Sequence, residues 1–320
     1  MSASRVDFKG CYTAIVTPFS PDGRTVDTAR LAEHVRFQAQ GGVTGIVPCG
    51  TTGESPTLTE AEHITVVETA IKVGRPLGMQ VIAGAGSNST AHAVHLQKLA
   101  HQLGADAGLQ VTPYYNKPSQ EGIYRHFMTV ADSCDLAVML YNIPGRSVVA
   151  IAPETVERLA AHPNIRAIKE ATGSMDSASE IRQRCGITVL SGDDSLTLSF
   201  AAVGAVGVVS VVSNILPDRV SGLCRHTNAN DFQSARALHE GLFPVSRGLL
   251  ALDSNPVPVK AAMALLGRDS GMVRLPLAAA SSAVVARVRE LIRSVGLEPA
   301  STPCPGPIAA CAAVAAGAGQ

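Results

Sequence analysis

Excess charge, long apolar runs, closely spaced cysteines and lysine are what this chain of 320 residues has least of. Its 26 basic and 26 acidic residues cancel. That balance leaves no broad electrostatic footprint for nucleic acid or an anionic membrane surface, and it suits a small neutral or anionic substrate. The most apolar stretch, Ala201 to Val212, is too short to cross a bilayer and is interrupted by Gly204 and Gly207. The seven cysteines, at positions 11, 49, 134, 185, 224, 304 and 311, include no C-x-x-C pair. So odd and scattered a set fits reduced thiols in a cytoplasmic protein and argues against zinc or any other metal site. Residues 1–10 are polar and lack the apolar segment of a secretion signal, so none is expected. With 46% hydrophobic and 16% charged residues, the chain reads as globular, with core enough for one large domain or two ordinary ones.

Among the six lysines (9, 72, 98, 117, 169 and 260), Lys169 alone ends a segment that reads as a buried strand, Arg166-Ala167-Ile168-Lys169. Alternation along a strand puts Ala167 and Lys169 on one face, where the small Ala167 leaves room beside the amine. Burial disfavours the charged form of an amine, which is the condition a Schiff-base nucleophile needs. A strand-end lysine taken alone more often snorkels to solvent. The rest of the chain changes that balance.

Eight short apolar runs rich in β-branched residues follow one another: Tyr12–Thr17, Gly45–Pro48, Gln80–Ala83, Gly108–Thr112, Ala137–Tyr141, Arg166–Lys169, Ile187–Leu190 and Val206–Ser210. Helical periodicity fills most of the intervals, at Ala29–Gln40, Glu60–Val73, Thr90–Leu103, Ile123–Ser133 and Pro153–Ala161. Alternating strands and helices with near-continuous apolar runs predict an α/β fold, a (β/α)8 TIM barrel with a parallel sheet covered on both faces. Thr59-x-x-Glu62 is a capping box and Pro153 a first-turn proline. The barrel is expected over residues 1–225. A helical extension follows over 226–297, with helices at Asp231–Leu242, Val259–Leu266 and Ala278–Leu291 and a role in packing and assembly. An Ala-, Pro- and Gly-rich mobile tail is expected over 298–320.

Polar residues gather just after the runs, where barrel enzymes build their sites, and the strand starts carry far less chemistry. Gly50-Thr51-Thr52-Gly53 can aim N–H groups and hydroxyls at a carboxylate, although alone it is more often a turn. Gly84-Ala85-Gly86 lacks the third glycine of a dinucleotide fingerprint, since position 89 is Ser, and no P-loop is present. Asp193 and Asp194 put negative charge at the seventh strand end, where many barrels bind phosphate, and so disfavour phosphorylated substrates. His92 and His95 are three apart on a helix without an acidic partner at metal spacing, which favours a plain surface pair. Tyr141 shares a strand face with Met139 and Ala137 and would project into the barrel mouth. Bonded to a hydroxyl such as Thr52, its phenol would make a general acid-base. Arg146 is a forked donor suited to a substrate carboxylate, or else an ordinary loop arginine.

Taken together, Gly50-Thr51-Thr52-Gly53-Glu54-Ser55, Thr112-Pro113-Tyr114-Tyr115-Asn116-Lys117-Pro118, Tyr141-Asn142-Ile143-Pro144-Gly145-Arg146, Ile168-Lys169-Glu170-Ala171-Thr172-Gly173 and Ser191-Gly192-Asp193-Asp194 resemble the dihydrodipicolinate synthase and N-acetylneuraminate lyase family over roughly residues 8–295. The resemblance implies Lys169 as Schiff-base lysine, Tyr141 as proton shuttle, Thr51 and Thr52 on the pyruvate carboxylate, and Gly192 and Val209 as backbone contributors. It further implies a relay from Tyr141 through Thr52 to a Tyr115 reaching in from another subunit, hence a homotetramer built as a dimer of dimers. Thr51 and Arg146 follow the synthase side of the family. The implied reaction therefore joins pyruvate to aspartate 4-semialdehyde, with Arg146 on the aldehyde's carboxylate, in lysine biosynthesis and without a cofactor. Ser147-Val148 departs from the Thr-Gly that often follows this arginine. An effector site for lysine would comprise Ser55, Glu60, His63, Asn88, His92 and Tyr114. Glu60 and His92 depart there from the usual His and Glu of inhibited bacterial relatives, which predicts weak sensitivity to lysine. Two other readings remain at this level: a different pyruvate aldolase acting on a sugar acid or hydroxy-keto acid, and a non-catalytic keto-acid binder, against which Lys169 itself speaks.

Overall fold

The computed structural model describes residues 6–301 and 304–307. Eight parallel strands close in chain order, each paired with the next and the last with the first. The units run β1 (Gly10–Thr13), α1 (Thr28–Gln40), β2 (Gly45–Ile46), α2 (Glu60–Gly74), β3 (Gln80–Gly84), α3 (Thr90–Leu103), β4 (Ala107–Val111), α4 (Gln120–Ala131), β5 (Ala137–Asn142), α5 (Pro144–Ser147), α6 (Pro153–Ala160), β6 (Ile165–Glu170), α7 (Met175–Arg184), β7 (Thr188–Ser191), α8 (Thr197–Ala202), β8 (Gly207–Ser210) and α9 (Pro217–Asn228). The expected (β/α)8 barrel is the observed one.

Strand alternation sorts the core into two shells. Tyr12, Val47, Ile82, Leu109, Met139, Tyr141, Ala167, Leu190 and Val209 pack inside the barrel, while Val138, Leu140 and Ile168 face the surrounding helices. The capping box at Thr59 and Glu62 opens α2 as expected. Helix α4 starts before Ile123, because the Ser119 hydroxyl caps Gly122 N–H. Helix α7 carries only Ala178 and Ile181 as buried residues, so its apolar periodicity was too thin to read.

The helix closing the eighth unit extends to Asn228, across the boundary expected at 225/226, and Asn230, at φ +60°, with the Asp231 cap separates it from the next helix. The extension then forms α10 (Phe232–Leu252), α11 (Val257–Leu265) and α12 (Ser282–Ser294). Helix α10 passes through Pro244 and runs on beyond Leu242, because Val245 and Leu249 continue its buried stripe. Proline usually ends a helix, and here packing of that stripe outweighs the lost hydrogen bond. Every residue of α11 is buried. Of the tail expected from 298, residues 298–301 and 304–307 are described: Ala300 N–H donates to Leu265 O at 2.8 Å, and the Cys304 thiol donates to Gly267 O at 3.0 Å. Positions 302, 303 and 308–320 lie outside the described residues.

Candidate active site at the C-terminal mouth of the barrel

Parallel pairing of β5 with β6 places Tyr141 opposite Lys169 and Met139 opposite Ala167. Alternation turns all four into the barrel, so the amine and the phenol meet through register alone. Lys169 is 5% exposed, and its Nζ lies 4.0 Å from the centroid of the Tyr141 ring. Among the described residues this Nζ has no hydrogen-bond acceptor or ion-pair partner. Gly192, just past β7, keeps the adjoining space open, because a Cβ there would stand 3.2 Å from Lys169 Cγ and 2.7 Å from the Ala171 Cβ. The neighbouring Glu170 points outward and is fully buried; burial raises its pKa, against the hydrogen bonds it accepts from Asn142 Nδ2 at 3.0 Å and Thr172 N–H at 2.8 Å.

Above this pair opens a cavity of about 260 Å³, lined by Gly50, Thr51, Ser55, Tyr114, Tyr141 and Arg146 among others. Lys169, Gly192 and Val209 are not part of its lining; Lys169 borders it through the Tyr141 ring. The loop after β2 supplies one wall. It contains two non-glycine residues in the left-handed region, Cys49 and Glu54, both at φ +55°. It also presses onto the end of β3, where a Cβ on Gly84 would meet Cys49 O at 2.0 Å. Arg146, on the short helix α5, forms the opposite wall. The loop carrying it is closed by Asn142, whose side chain accepts from Ile151 N–H at 3.0 Å and donates to Ile151 O at 3.2 Å. The departure at Val148 puts a β-branched, exposed residue at φ +70°, a strained conformation for such a side chain.

One expected contact is replaced by another. The Thr52 hydroxyl, which the sequence paired with Tyr141, accepts instead from Asn255 Nδ2 at 2.9 Å, and the Tyr141 phenol makes no hydrogen bond among the described residues. Asn255 also accepts from Arg146 through its backbone oxygen, at 3.3 Å. Sequence reasoning missed Asn255, which lies far along the chain between α10 and α11. Lys260, on α11, belongs to no motif in the sequence. Fully buried, it reaches Glu54 Oε1 and Thr17 O, each at 2.8 Å. A proline-flanked polar residue and a lysine inside an otherwise apolar helix were the available signals.

At the ends of β7 and β8 the structure gives Asp194 a definite role. Asp194 is buried, accepts from the Ser210 hydroxyl, and takes the backbone N–H groups of Val211 and Val212 at 2.8 and 3.1 Å. An internal carboxylate thus occupies the N–H groups that a phosphate would need. Burial raises its pKa, with those hydrogen bonds opposing.

The residues assigned to a subunit contact and an effector lie together on one side. Tyr115 is 86% exposed with φ +74°. Asn88 Nδ2 donates to Tyr114 O at 3.2 Å. Burial, with the His92 charge adding to it, pulls the His63 pKa down to about 4, so this imidazole is neutral at ordinary pH. Glu60 Oε2 pairs with His95 Nε2 at 3.1 Å, and His95 stacks on His92. The carboxylate is therefore engaged by His95, a residue outside the expected set.

An eight-stranded barrel with its amine, phenol, hydroxyls and guanidinium collected at the C-terminal mouth is built as an enzyme. The family model described as the dihydrodipicolinate synthetase family matches residues 7–295. The chain is 49% identical over 292 residues to a protein of Citrifermentans bemidjiense named 4-hydroxy-tetrahydrodipicolinate synthase, covering 91% of this chain and 99% of that one. It is 52% identical over 278 residues to the Geotalea daltonii protein of the same name, covering 86% and 94%. The crystal structure of dihydrodipicolinate synthase from Aquifex aeolicus superposes with a TM-score of 0.88 at 44% identity, over 91% of this chain and 99% of that chain. The protein is a lyase of the barrel type. It belongs to the dihydrodipicolinate synthetase family.

Proposed function

We propose that the enzyme condenses pyruvate with L-aspartate 4-semialdehyde to 4-hydroxy-tetrahydrodipicolinate, at the head of diaminopimelate and lysine biosynthesis. The observation that carries this reading is Lys169 Nζ, unpaired among the described residues and 4.0 Å from the Tyr141 ring, which lines a cavity walled by Thr51 and Arg146. The Lys169 amine attacks the ketone carbon of pyruvate and water leaves, giving the imine. Loss of a methyl proton gives the enamine, whose carbon attacks the aldehyde. The amino group of the second substrate then displaces Lys169 as the ring closes. Tyr141 carries protons in these steps, with the Thr52 hydroxyl and Tyr115 of a neighbouring subunit completing the relay. Thr51 and Thr52 bind the pyruvate carboxylate, Gly192 and Val209 contribute backbone groups beside it, and Arg146 takes the carboxylate of the aldehyde bidentately. The enzyme works in the cytoplasm as a homotetramer. Its dimer contact carries the exposed Tyr115, and Ser55, Glu60, His63, Asn88, His92 and Tyr114 form the corresponding effector pocket.

Two buried lysines make the assignment testable. Lys260 Nζ is engaged by a carboxylate and a carbonyl, whereas Lys169 Nζ has no such partner among the described residues. Pyruvate followed by borohydride should therefore reduce an imine at Lys169 alone. Peptide mapping that finds the label on Lys260 overturns the site. In the same preparation, aspartate semialdehyde should be turned over far faster than neuraminate or 2-keto-3-deoxy sugar acids, and the reverse order overturns the choice of second substrate.

A further inference from the structure

Thr52 is a hydroxyl with two lone pairs and one proton, so the group it bonds on one side decides what it offers on the other. Its observed partner is the amide of Asn255, which donates at 2.9 Å. A hydroxyl that accepts from an amide keeps its own hydrogen free for a second partner. With Asn255 in place, the buried Thr52 hydroxyl, next in the chain to the cavity-lining Thr51, is left with a proton to donate. The same residue fixes the opposite wall through its backbone oxygen, which accepts from Arg146 at 3.3 Å.

What holds Asn255 still is the helix it introduces. Pro256 and every residue of α11 are buried, and Lys260 N–H bonds back to Pro256 O at 3.0 Å. From that helix Lys260 reaches Glu54 and Thr17, while Arg274 gives its backbone N–H to the other Glu54 oxygen at 3.0 Å and Nη1 to Thr57 O at 3.0 Å. The loop bearing Thr51 and Thr52 is thus bracketed at Glu54 and Thr57 by the same segment that carries Asn255. A side chain so placed has less freedom to turn, and its hydrogen bond costs less entropy to form.

We infer that Asn255 is a positioning residue that sets the proton direction of the Thr52 hydroxyl, which makes the C-terminal extension part of the active site. This rests on the Schiff-base condensation proposed above. A bare packing role and a donor role differ in one respect: Asn255→Asp keeps the shape and removes the N–H donor. In that variant Thr52 donates to the new carboxylate and has only lone pairs left to offer a second partner, so the polarity of the hydroxyl is reversed.

The test measures kcat and KM for both substrates in wild type, Asn255→Asp and Asn255→Ala. Thermal melting is followed alongside, and each variant is also made in a Thr52→Val background. Loss of one positioned hydrogen bond should lower kcat by about tenfold. Asn255→Asp should be at least as slow as Asn255→Ala, with the KM for pyruvate changed less than kcat. With Thr52→Val already present, removing the Asn255 amide should cost no more than about twofold, because the amide acts through a hydroxyl that is gone. An Asn255→Asp enzyme with wild-type kcat overturns the inference, as does full additivity with Thr52→Val. If Asn255→Ala does not fold, the isosteric Asp variant carries the same decision. Absence of turnover in wild type would instead sink the proposed reaction, and the two failures are told apart in a single experiment.

Discussion

Removing the positive end of the buried Lys260–Glu54 pair should destabilise the fold strongly. Both side chains are essentially unexposed and 2.8 Å apart. At that separation, and with an effective dielectric of about 20, their attraction is about 6 kcal/mol. Desolvation of two ions offsets much of it, so the pair's net worth against an apolar substitute is small. Breaking it from one side is different. Lys260→Met leaves the Glu54 carboxylate buried with only the Arg274 N–H, at 3.0 Å, and leaves Thr17 O without its donor. A one-sided break of this kind costs about 3 to 5 kcal/mol. For a chain of this size that corresponds to roughly 4 to 7 °C in Tm, measured at fixed protein concentration. The loss should extend to activity, because Glu54 and Cys49 sit at φ +55° and such strained residues, at about 1 to 3 kcal/mol each, persist only where their surroundings hold them. Adding Glu54→Gln to Lys260→Met removes the stranded charge while keeping an acceptor for Arg274, and should recover at least half of the lost stability. Differential scanning calorimetry of wild type and the two variants decides the matter. A Lys260→Met melt within about 1 °C of wild type, or a double variant no better than the single, refutes the reasoning.

Arg146→Ala should leave the borohydride-trapped pyruvate imine intact and lower kcat/KM for the aldehyde by roughly ten- to a hundredfold, the worth of a charge-assisted bond of about 1.5 to 3 kcal/mol; an unchanged rate at low aldehyde concentration counts against it. Lysine should inhibit weakly. With His92 in place of a carboxylate and Glu60 engaged by His95 at 3.1 Å, the effector's ammonium loses its main acceptor, which weakens binding by roughly one to two decades. Half-inhibition well below a millimolar in an initial-rate titration at subsaturating pyruvate would show this wrong. Sedimentation should find an assembly built on at least one tight dimer, and Tyr115→Ala should lower kcat if that phenol completes a neighbour's site; a fully active monomer contradicts both.

The sequence by itself determined the barrel and the identity of its central lysine. Period-2 and period-3.6 patterns are local properties, and eight alternations of the two leave a closed parallel sheet as the arrangement that buries every apolar run. Because register follows from those patterns, the pairing of Tyr141 with Lys169 was already implicit in which residues ended the fifth and sixth runs. Only the tertiary structure decided which distant groups saturate one another. Asn255 and Thr52 are separated by 203 positions, and Lys260 and Glu54 by 206. The occupation of the Val211 and Val212 amides by Asp194 also crosses from one barrel unit to the next. No periodicity encodes such pairings, because a buried polar group takes the partner that chain closure brings within about 3 Å, and closure is a property of the whole barrel. For the same reason the two buried lysines, alike in composition, separate into one held by a carboxylate and one left free beside Tyr141 only when the chain is folded.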